Sequence, residues 1–350
     1  MVVGKMKLGL RYWNLKLVIM VLIAGLFVTI NKVKAQDIQF SQFYANTLYL
    51  NPAFAGSTHD LRGVLHQRLQ WPKLEAKYIT SSASLDTYIK KTKGGVGLIL
   101  MKDWQGANTI SSTDIALQYA QEVNFSSKFS MRFGLQGAYV SRNISYAQLT
   151  FPDQYTDGGY SGVPTSEYFG VNRKNFFDLS AGTLFYTDNL WLGISAHHIN
   201  MPNQSFYNEV NRLPMKIGVV GGYKIKLDGG EANSPDKTSR YSLTPTFYYK
   251  MQGKSDQLDV GIYGMHDDLM LGFWYRGLPI KRYERNQNNE SMIVLLGYRI
   301  KRLVISYSYD FTISKLNTAR TGGSHEFNLT YIYPLPLKRK MYKRLPCPKF

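Results

Sequence analysis

The chain has 350 residues, a formal net charge of +18 and a single cysteine, and it is rich in Tyr, Phe and Gly. One cysteine cannot form an intramolecular disulfide, so the fold has to be stable without such cross-links. The excess of Lys and Arg is concentrated in residues 1–35 and 334–350. No nucleic-acid-binding module is recognisable between them, which argues against a nucleic-acid partner.

The first 35 residues have the pattern of a secretory signal peptide. Basic residues come first, an apolar run follows over 17–30, and Val33-Lys34-Ala35 is a small-x-small cleavage site. The apolar run is shorter than the ~20 residues that a membrane-spanning helix needs. The sequence therefore predicts an exported protein that begins near Gln36, with an uncleaved N-terminal anchor as the alternative.

Residues 60–333 consist mainly of segments in which apolar and polar residues alternate. In one of them Phe129, Met131, Phe133 and Leu135 fall on one face, with polar or small residues on the other. Fourteen such segments are found, at 60–70, 76–89, 94–103, 110–123, 127–142, 176–187, 190–199, 213–226, 240–250, 256–264, 268–277, 290–299, 301–312 and 323–333. Each has about the length of a tilted membrane-spanning strand. The pattern predicts an all-β fold, a transmembrane antiparallel β-barrel of about 14 strands. A soluble β-sandwich or propeller is the alternative.

The connections between the predicted strands alternate between short and long. The long ones include 104–109, 143–175, 200–212, 278–289 and 313–322. Two connections break the alternation, because 227–239 is too long and 251–255 is too short. Short periplasmic turns and long outer loops are typical of outer-membrane barrels, which favours the membrane barrel over the sandwich. An even number of strands then predicts that both termini are periplasmic.

Motifs of catalytic sites are absent from the sequence, which has no G-x-S-x-G, H-E-x-x-H or G-x-G-x-x-G pattern. The adjacent pair His197-His198 is predicted to point to opposite faces of a strand, so it is not expected to hold one metal ion. One histidine would face the lumen and the other the membrane interface. We expect no enzyme activity and no cofactor or metal site.

Two segments are candidate protein-binding regions. The longest predicted loop, 143–175, is expected to be extracellular and carries aromatic residues of the kind that anchor interfaces, namely Tyr146, Phe151, Tyr155, Tyr160 and Tyr168.

The second region is the tail 334–350, which begins with prolines that end the last strand. It carries Lys338, Arg339, Lys340, Lys343, Arg344, Cys347 and Phe350. This tail is predicted to dock on an acidic periplasmic partner, with a solvated, disordered tail as the alternative. Residues 36–59 are assigned to a periplasmic segment that precedes the barrel.

Several segments, in order along residues 37–350, resemble the PorP/SprF family. They are Asp37-Ile-Gln-Phe-Ser-Gln-Phe-Tyr, Tyr49-Leu-Asn-Pro-Ala-Phe-Ala-Gly56, Arg68-Leu-Gln-Trp-Pro72, Gly193-Ile-Ser-Ala-His-His-Ile-Asn-Met-Pro-Asn203, Leu271-Gly-Phe-Trp-Tyr-Arg276, Tyr307-Ser-Tyr-Asp-Phe-Thr-Ile-Ser314, Gly322-Gly-Ser-His-Glu326 and the Cys-Pro-x-Phe ending. Asn51-Pro52 and Gly56 are interpreted as a turn before the first strand, and Gly322-Gly323 as a turn that enters the last.

The resemblance implies an outer-membrane β-barrel of Bacteroidota that belongs to the type IX secretion and gliding-motility machinery. It implies a non-enzymatic role in exporting or anchoring large surface proteins such as adhesins. The implied partners are outer-membrane lipid, the secreted surface proteins, and periplasmic and lipoprotein components of the machine. A channel or transporter for small or hydrophobic solutes and an outer-membrane enzyme remain alternative functions.

Overall fold

The computed structural model describes residues 37–106, 109–126, 129–227, 241–283 and 286–335. The predicted signal peptide over 1–35 lies outside this range. So do most of the connection 227–239 and the tail from residue 336, which includes every tail residue predicted to bind a partner. The predictions for these segments stay predictions.

Fourteen long strands form one closed antiparallel barrel. They are β1 (Leu61–Gln70), β2 (Tyr78–Ile89), β3 (Gly94–Gln105), β4 (Ile110–Asn124), β5 (Ser130–Ile144), β6 (Arg173–Tyr186), β7 (Leu190–His197), β8 (Lys216–Tyr223), β9 (Tyr241–Gln252), β10 (Ser255–His266), β11 (Leu269–Tyr283), β12 (Asn286–Ile300), β13 (Leu303–Thr312) and β14 (Ser324–Tyr333). Neighbours in the chain pair with each other, and β1 also pairs with β14, so the sheet closes. The predicted 14-strand barrel is confirmed.

The alternation along the strands separates an apolar outer surface from a mostly polar lumen. On β5, Phe133 and Leu135 are 45% and 66% exposed, whereas the side chain of Arg132, on the opposite face of the strand, is fully buried. Phe129 and Met131 lie on the same outer side. The predicted outward orientation of these four residues is therefore confirmed, because alternate side chains along a strand point to opposite faces.

The two ends of the barrel differ in their connections. We call one end the long-loop rim, because it carries residues 145–172, 198–215 and 313–323. The other end, the short-turn rim, carries 90–93, 187–189, 267–268 and 301–302.

One predicted long loop is wrong. Residues 278–283 instead continue β11 and residues 286–289 belong to β12, and the two strands pair with register shifts beside Gly277, whose φ of 152° suits glycine. The alternation of apolar and polar residues breaks at the bulge, which predicts the end of the strand, but the two strands continue to pair beyond it. The predicted turn at Gly322-Gly323 is confirmed, since both residues have positive φ before β14.

Helices contribute little to the fold. Two single-turn helices, α1 (Thr47–Leu50) and α2 (Thr318–Thr321), and a 3₁₀ turn over Pro52–Phe54 are the elements relevant here. In the part of the chain that the structure describes, no helix has the length and apolar character needed to cross a bilayer.

The segment before β1 lies inside the barrel. Residues 40–48 and 50–60 are all buried, and they form much of the apolar core together with inward side chains of the wall. We call Asp37–Asp60 the plug. We expected residues 36–59 to form a periplasmic segment ahead of the barrel, but the structure places residues 37–59 inside it. The physical reason is that the aromatic side chains of this segment are shielded from water only within the lumen.

Candidate functional site: a plugged lumen

The plug crosses the lumen from one rim to the other. Asp37 contacts Lys216, the first residue of β8, and Gln252, the last residue of β9, both at the long-loop rim. Near the other end of the plug, His59 contacts Glu122 close to the short-turn end of β4. The described chain thus begins at one rim, whereas β14 ends at the other. The chain threads the barrel before β1, so the described residues begin and end at different rims. The termini themselves lie outside the described residues, and their periplasmic location stays a prediction.

Glycines of the barrel wall allow the plug backbone to approach closely. A Cβ added to Gly134 would lie 2.3 Å from the backbone nitrogen of Ala53, and one added to Gly95 would lie 2.0 Å from the carbonyl oxygen of Ala55. Contacts this short do not occur for real side chains, so any larger residue would displace the plug or the wall. The inward glycines are therefore part of the plug's seat.

Asn51 fastens the middle of the plug to the wall. Its Oδ1 accepts a hydrogen bond from the backbone N–H of Ala53 at 2.9 Å, which starts the 3₁₀ turn. Its Nδ2 donates to the carbonyl oxygens of Thr183 and Ile194 at 3.0 and 3.1 Å. Gly182 makes this approach possible, because a Cβ there would lie 2.0 Å from Asn51 Oδ1. The predicted turn at Asn51-Pro52 is thus also an anchor to two strands.

Glu326 on β14 binds the backbone of the plug near the long-loop rim. Its carboxylate accepts the N–H groups of Ser41 and Gln42 at 2.8 and 2.6 Å. The same carboxylate lies 2.9 Å from His66 Nε2 and accepts a hydrogen bond from Arg68 Nη1 at 2.6 Å. All of these groups are buried, so the charge is compensated only by these neighbours.

A second carboxylate, Asp310, joins two arginines to the plug. Its Oδ2 accepts hydrogen bonds from Arg68 Nη2 at 2.9 Å and Arg276 Nη1 at 3.1 Å. Ser41 Oγ donates to this oxygen at 2.6 Å and accepts from both arginines. Arg276 Nε also donates to Asp259 at 2.7 Å. Since a buried charge that loses its partner costs about 3–5 kcal/mol, this network holds the plug firmly.

Aromatic rings fill the lumen next to this network. Tyr44 stacks on Trp274 with ring centroids 5.4 Å apart, and Phe43 lies 5.5 Å from Tyr248. Trp274 Nε1 donates to Thr246 Oγ1 at 3.3 Å. Large buried aromatic surfaces supply much of the apolar stabilisation in a core. The lumen is therefore packed like a protein interior at this level.

Arg132 holds the end of the plug near the short-turn rim. Its guanidinium donates to the carbonyl oxygens of Ala53, at 2.9 Å, and Ala55. It also forms an ion pair of 2.7 Å with Glu122, which contacts His59. The fully buried arginine thus satisfies backbone carbonyls that the short plug turns leave unpaired.

Asp37 closes the plug at the long-loop rim, in a cluster that we call the Asp37 latch. Its Oδ2 lies 2.7 Å from both His198 Nε2 and Lys216 Nζ, and Gln252 Nε2 donates to its Oδ1 at 2.9 Å. His198 Nδ1 lies 2.9 Å from Asp178.

The contacts of the Asp37 latch shift the pKa values of its members. Burial raises the pKa of the Asp37 carboxyl, but the positive charges of Lys216 and His198 outweigh burial and bring this pKa well below its ordinary value. Burial lowers the pKa of His198, yet the carboxylates of Asp37 and Asp178 raise it to about 9.

The histidine pair differs from its prediction. Strand β7 ends at His197, and His198 has a φ of 57°, so the two side chains do not alternate as they would within a strand. His197 contacts the carbonyl oxygen of Leu50 at 3.3 Å, while His198 belongs to the Asp37 latch. Both histidines therefore face the plug, and neither faces the membrane interface.

The predicted partner-binding aromatics of the loop 145–172 fall into two groups. Tyr155, Tyr160 and Tyr168 are exposed, the last of them by 85%. Tyr146 and Phe151 instead pack on Phe169, with ring centroids 4.7 and 5.2 Å apart. These two residues shape the loop, and the three tyrosines are available to a partner.

The two longest loops of this rim are packed against each other. The N–H of Val171 donates to the carbonyl oxygen of Phe206 at 2.9 Å, and Arg142 donates to Gln204. Tyr207 and Val210 of the second loop are 52% and 72% exposed. We call five of the exposed residues on these two loops the rim surface, namely Tyr155, Tyr160, Tyr168, Tyr207 and Val210.

Comparisons with known proteins identify a family and several similar structures. A family model described as "Type IX secretion system membrane protein PorP/SprF" matches residues 32–331. Similar solved structures include the Ralstonia pickettii toluene transporter TbuX, at 10% identity and a TM-score of 0.48 over 83% of this chain and 94% of that one. The Acinetobacter baumannii outer membrane protein Omp33 has 7% identity and a TM-score of 0.42, with 80% and 100% covered. A search of curated proteins gives no match.

Proposed function

Since the chain belongs to the PorP/SprF family of type IX secretion system membrane proteins, we propose that it is a non-enzymatic docking component of that machinery. In this role the barrel supports export or surface anchoring of large secreted proteins such as adhesins. The observation that carries the proposal is the plug, whose residues 40–48 are buried within the lumen. In the part of the chain that the structure describes, the lumen at the level of these residues is occupied by the plug and is not free for a passing solute or polypeptide.

The strength of the plug's attachment supports a docking role over a gating one. Arg68, Arg276 and Arg132 each bind plug atoms from within the wall, and all three are buried. Moving the plug out would leave these charges without part of their hydrogen bonds, at a cost of several kcal/mol. Function then depends on the surfaces outside the lumen.

The rim surface is our proposed contact for the exported protein. Exposed tyrosines are typical anchors of protein interfaces, because they bury a large ring and retain a hydroxyl for hydrogen bonding. We propose that the long-loop rim faces outward, as in other outer-membrane barrels. The short-turn rim, where β14 ends, would then face the periplasmic and lipoprotein components of the machine.

The proposal is tested by replacing Tyr155, Tyr160 and Tyr168 together with serine in the native host. The expected result is an assembled barrel with a reduced amount of exported protein at the cell surface, measured by surface proteolysis and mass spectrometry. Phe125→Ser is the matched control, because Phe125 is 62% exposed at the short-turn rim. Full surface protein in the triple variant, with loss of small-solute uptake on deletion of the whole barrel, would favour a transporter instead.

A further inference from the structure

The outer surface of the barrel carries a depression that the proposed function does not use. It has a volume of about 510 Å³ over β1 to β4 and the edge of β14, and it is open on its outer side. The floor of the depression is formed by small side chains, because the outward residues of β2 at this level are Ser81 and Ala83. Its walls are outward side chains that are 45–56% exposed, namely Leu65, Leu100, Ile115 and Phe327.

Strand register divides the depression into a polar and an apolar row. Gln67, Ser81, Lys102 and Thr113 are paired across four strands on the side nearer the long-loop rim. One step toward the middle of the barrel, the paired residues are Leu65, Ala83, Leu100 and Ile115. The site is therefore amphipathic along the strand direction, like the boundary between lipid headgroups and acyl chains.

Lys102 is the charged group of this depression. Its ammonium donates to Thr113 Oγ1 at 2.8 Å and lies 5.7 Å from the centre of the Trp104 ring. Among the described residues no carboxylate forms an ion pair with it, because Asp103 and Asp114 point into the lumen. A cation on a lipid-facing surface is costly unless an anion compensates it.

The position of Lys102 fits the level of a lipid headgroup. It lies three residues before the end of β3 at Gln105, which corresponds to about 10 Å along the strand. Trp104, the next outward residue toward the rim, is the kind of residue that lies at the interface of a membrane barrel.

We propose that this depression binds a phosphorylated membrane lipid, with the phosphate at Lys102 and an acyl chain over Ala83. Charge complementarity selects the phosphate, and the apolar row below it selects the chain. A free phosphate would leave the apolar row uncovered, and a diacyl lipid without a phosphate would leave Lys102 uncompensated. The occupant is a lipid because hydrocarbon is the solvent of this face.

The test is native mass spectrometry of the full barrel with three probes. Phosphatidic acid should bind to the delipidated protein. Diacylglycerol with the same chains should bind at least about tenfold more weakly, and glycerol 3-phosphate should not compete. Lys102→Gln should lower phosphatidic acid binding by at least about fivefold, whereas Lys301→Gln, an exposed lysine at the short-turn rim, should not.

A second variant tests the apolar part of the site. Ala83→Phe fills the floor and should also prevent binding, with heat-modifiable gel mobility as the check that the barrel is folded. Equal binding of phosphatidic acid and diacylglycerol, or unchanged binding by Lys102→Gln, would overturn the proposal. A polypeptide retained in the depression in place of lipid would overturn it as well.

Discussion

The carboxylate of Asp37 lies 2.7 Å from Nε2 of His198, at the rim opposite to the one where β14 ends. This contact fixes the start of the described chain at the long-loop rim. The segment that follows then fills the lumen before the first strand begins. The barrel is consequently closed by its own N-terminal segment, and the ends of the described chain lie at different rims.

We expect Gly134→Ala to disturb the plug and Gly137→Ala to be tolerated. Both glycines lie on β5, but a Cβ on Gly134 would meet the plug backbone at 2.3 Å, whereas one on Gly137 would meet nothing within 4 Å. Overpacking of this kind costs about 1–3 kcal/mol. Urea unfolding in lipid vesicles measures the difference, and equal stability of the two variants would contradict the close seat of the plug.

Glu326→Gln should weaken the plug by about 3 kcal/mol or more. The substitution replaces one carboxylate oxygen by an NH₂ group. The backbone N–H groups of Ser41 and Gln42 each need an acceptor, so one of them loses its partner. The substitution also leaves the buried charge of Arg68 less compensated. Hydrogen exchange of residues 40–44 is the most direct measurement and should accelerate. Glu75→Gln, on an exposed loop, is the control that should leave exchange unchanged.

The Asp37 latch should weaken at high pH. The pKa of His198 is raised from 6.5 to about 9 in the folded protein, so its contribution is complete below about pH 6.5 and is lost as the pH rises through 9. The pKa of Asp37 is lowered, so its contribution is present above its ordinary value of 3.8 and is lost only in stronger acid. The largest contribution of His198 to the free energy of unfolding is about 3 kcal/mol.

His198→Asn provides the comparison for this pH dependence. We expect the variant to be less stable than the natural protein at pH 6 and to differ little from it at pH 10, in urea unfolding at both values. A stability difference that is the same at both pH values would mean that the positive charge of His198 does not hold the latch.

Leu135→Arg should impair assembly of the barrel far more than Phe125→Arg. Leu135 lies on the outer face near the middle of β5, where an arginine costs about 2–4 kcal/mol in lipid. Phe125 lies just beyond the end of β4, where the cost is about 0–1 kcal/mol. The fraction of heat-modifiable protein in outer membranes measures assembly. Equal fractions would contradict the outward assignment of Leu135.

The strands could be predicted from the sequence because each one carries its own signal. Phe133 and Leu135 alternate with Arg132 and Gly134 within a single segment, and the buried and exposed faces follow from that period alone. The pairing of β11 with β12 beyond Arg276 could not be predicted, since the bulge at Gly277 interrupts the period while pairing continues.

The plug could not be predicted because its partners are remote in sequence. Ser41 is held by Glu326 and Asp310, and Asn51 is held by carbonyl groups of Thr183 and Ile194. The segment itself has no regular period, so its aromatic residues alone do not reveal where they pack. The rim surface was predicted only in part, since the sequence does not distinguish the exposed Tyr168 from Tyr146, which packs inside its loop.

Conductance in planar lipid bilayers tests most directly the claim that the plug closes the barrel. The natural protein and a variant lacking residues 37–57 are compared, with heat-modifiable mobility as the check that each barrel is folded. The natural protein should give no steady conductance, because its lumen is filled, and the shortened barrel should give stable open steps. Open steps of similar size from the natural protein would contradict the account, since they would require a free path through the lumen.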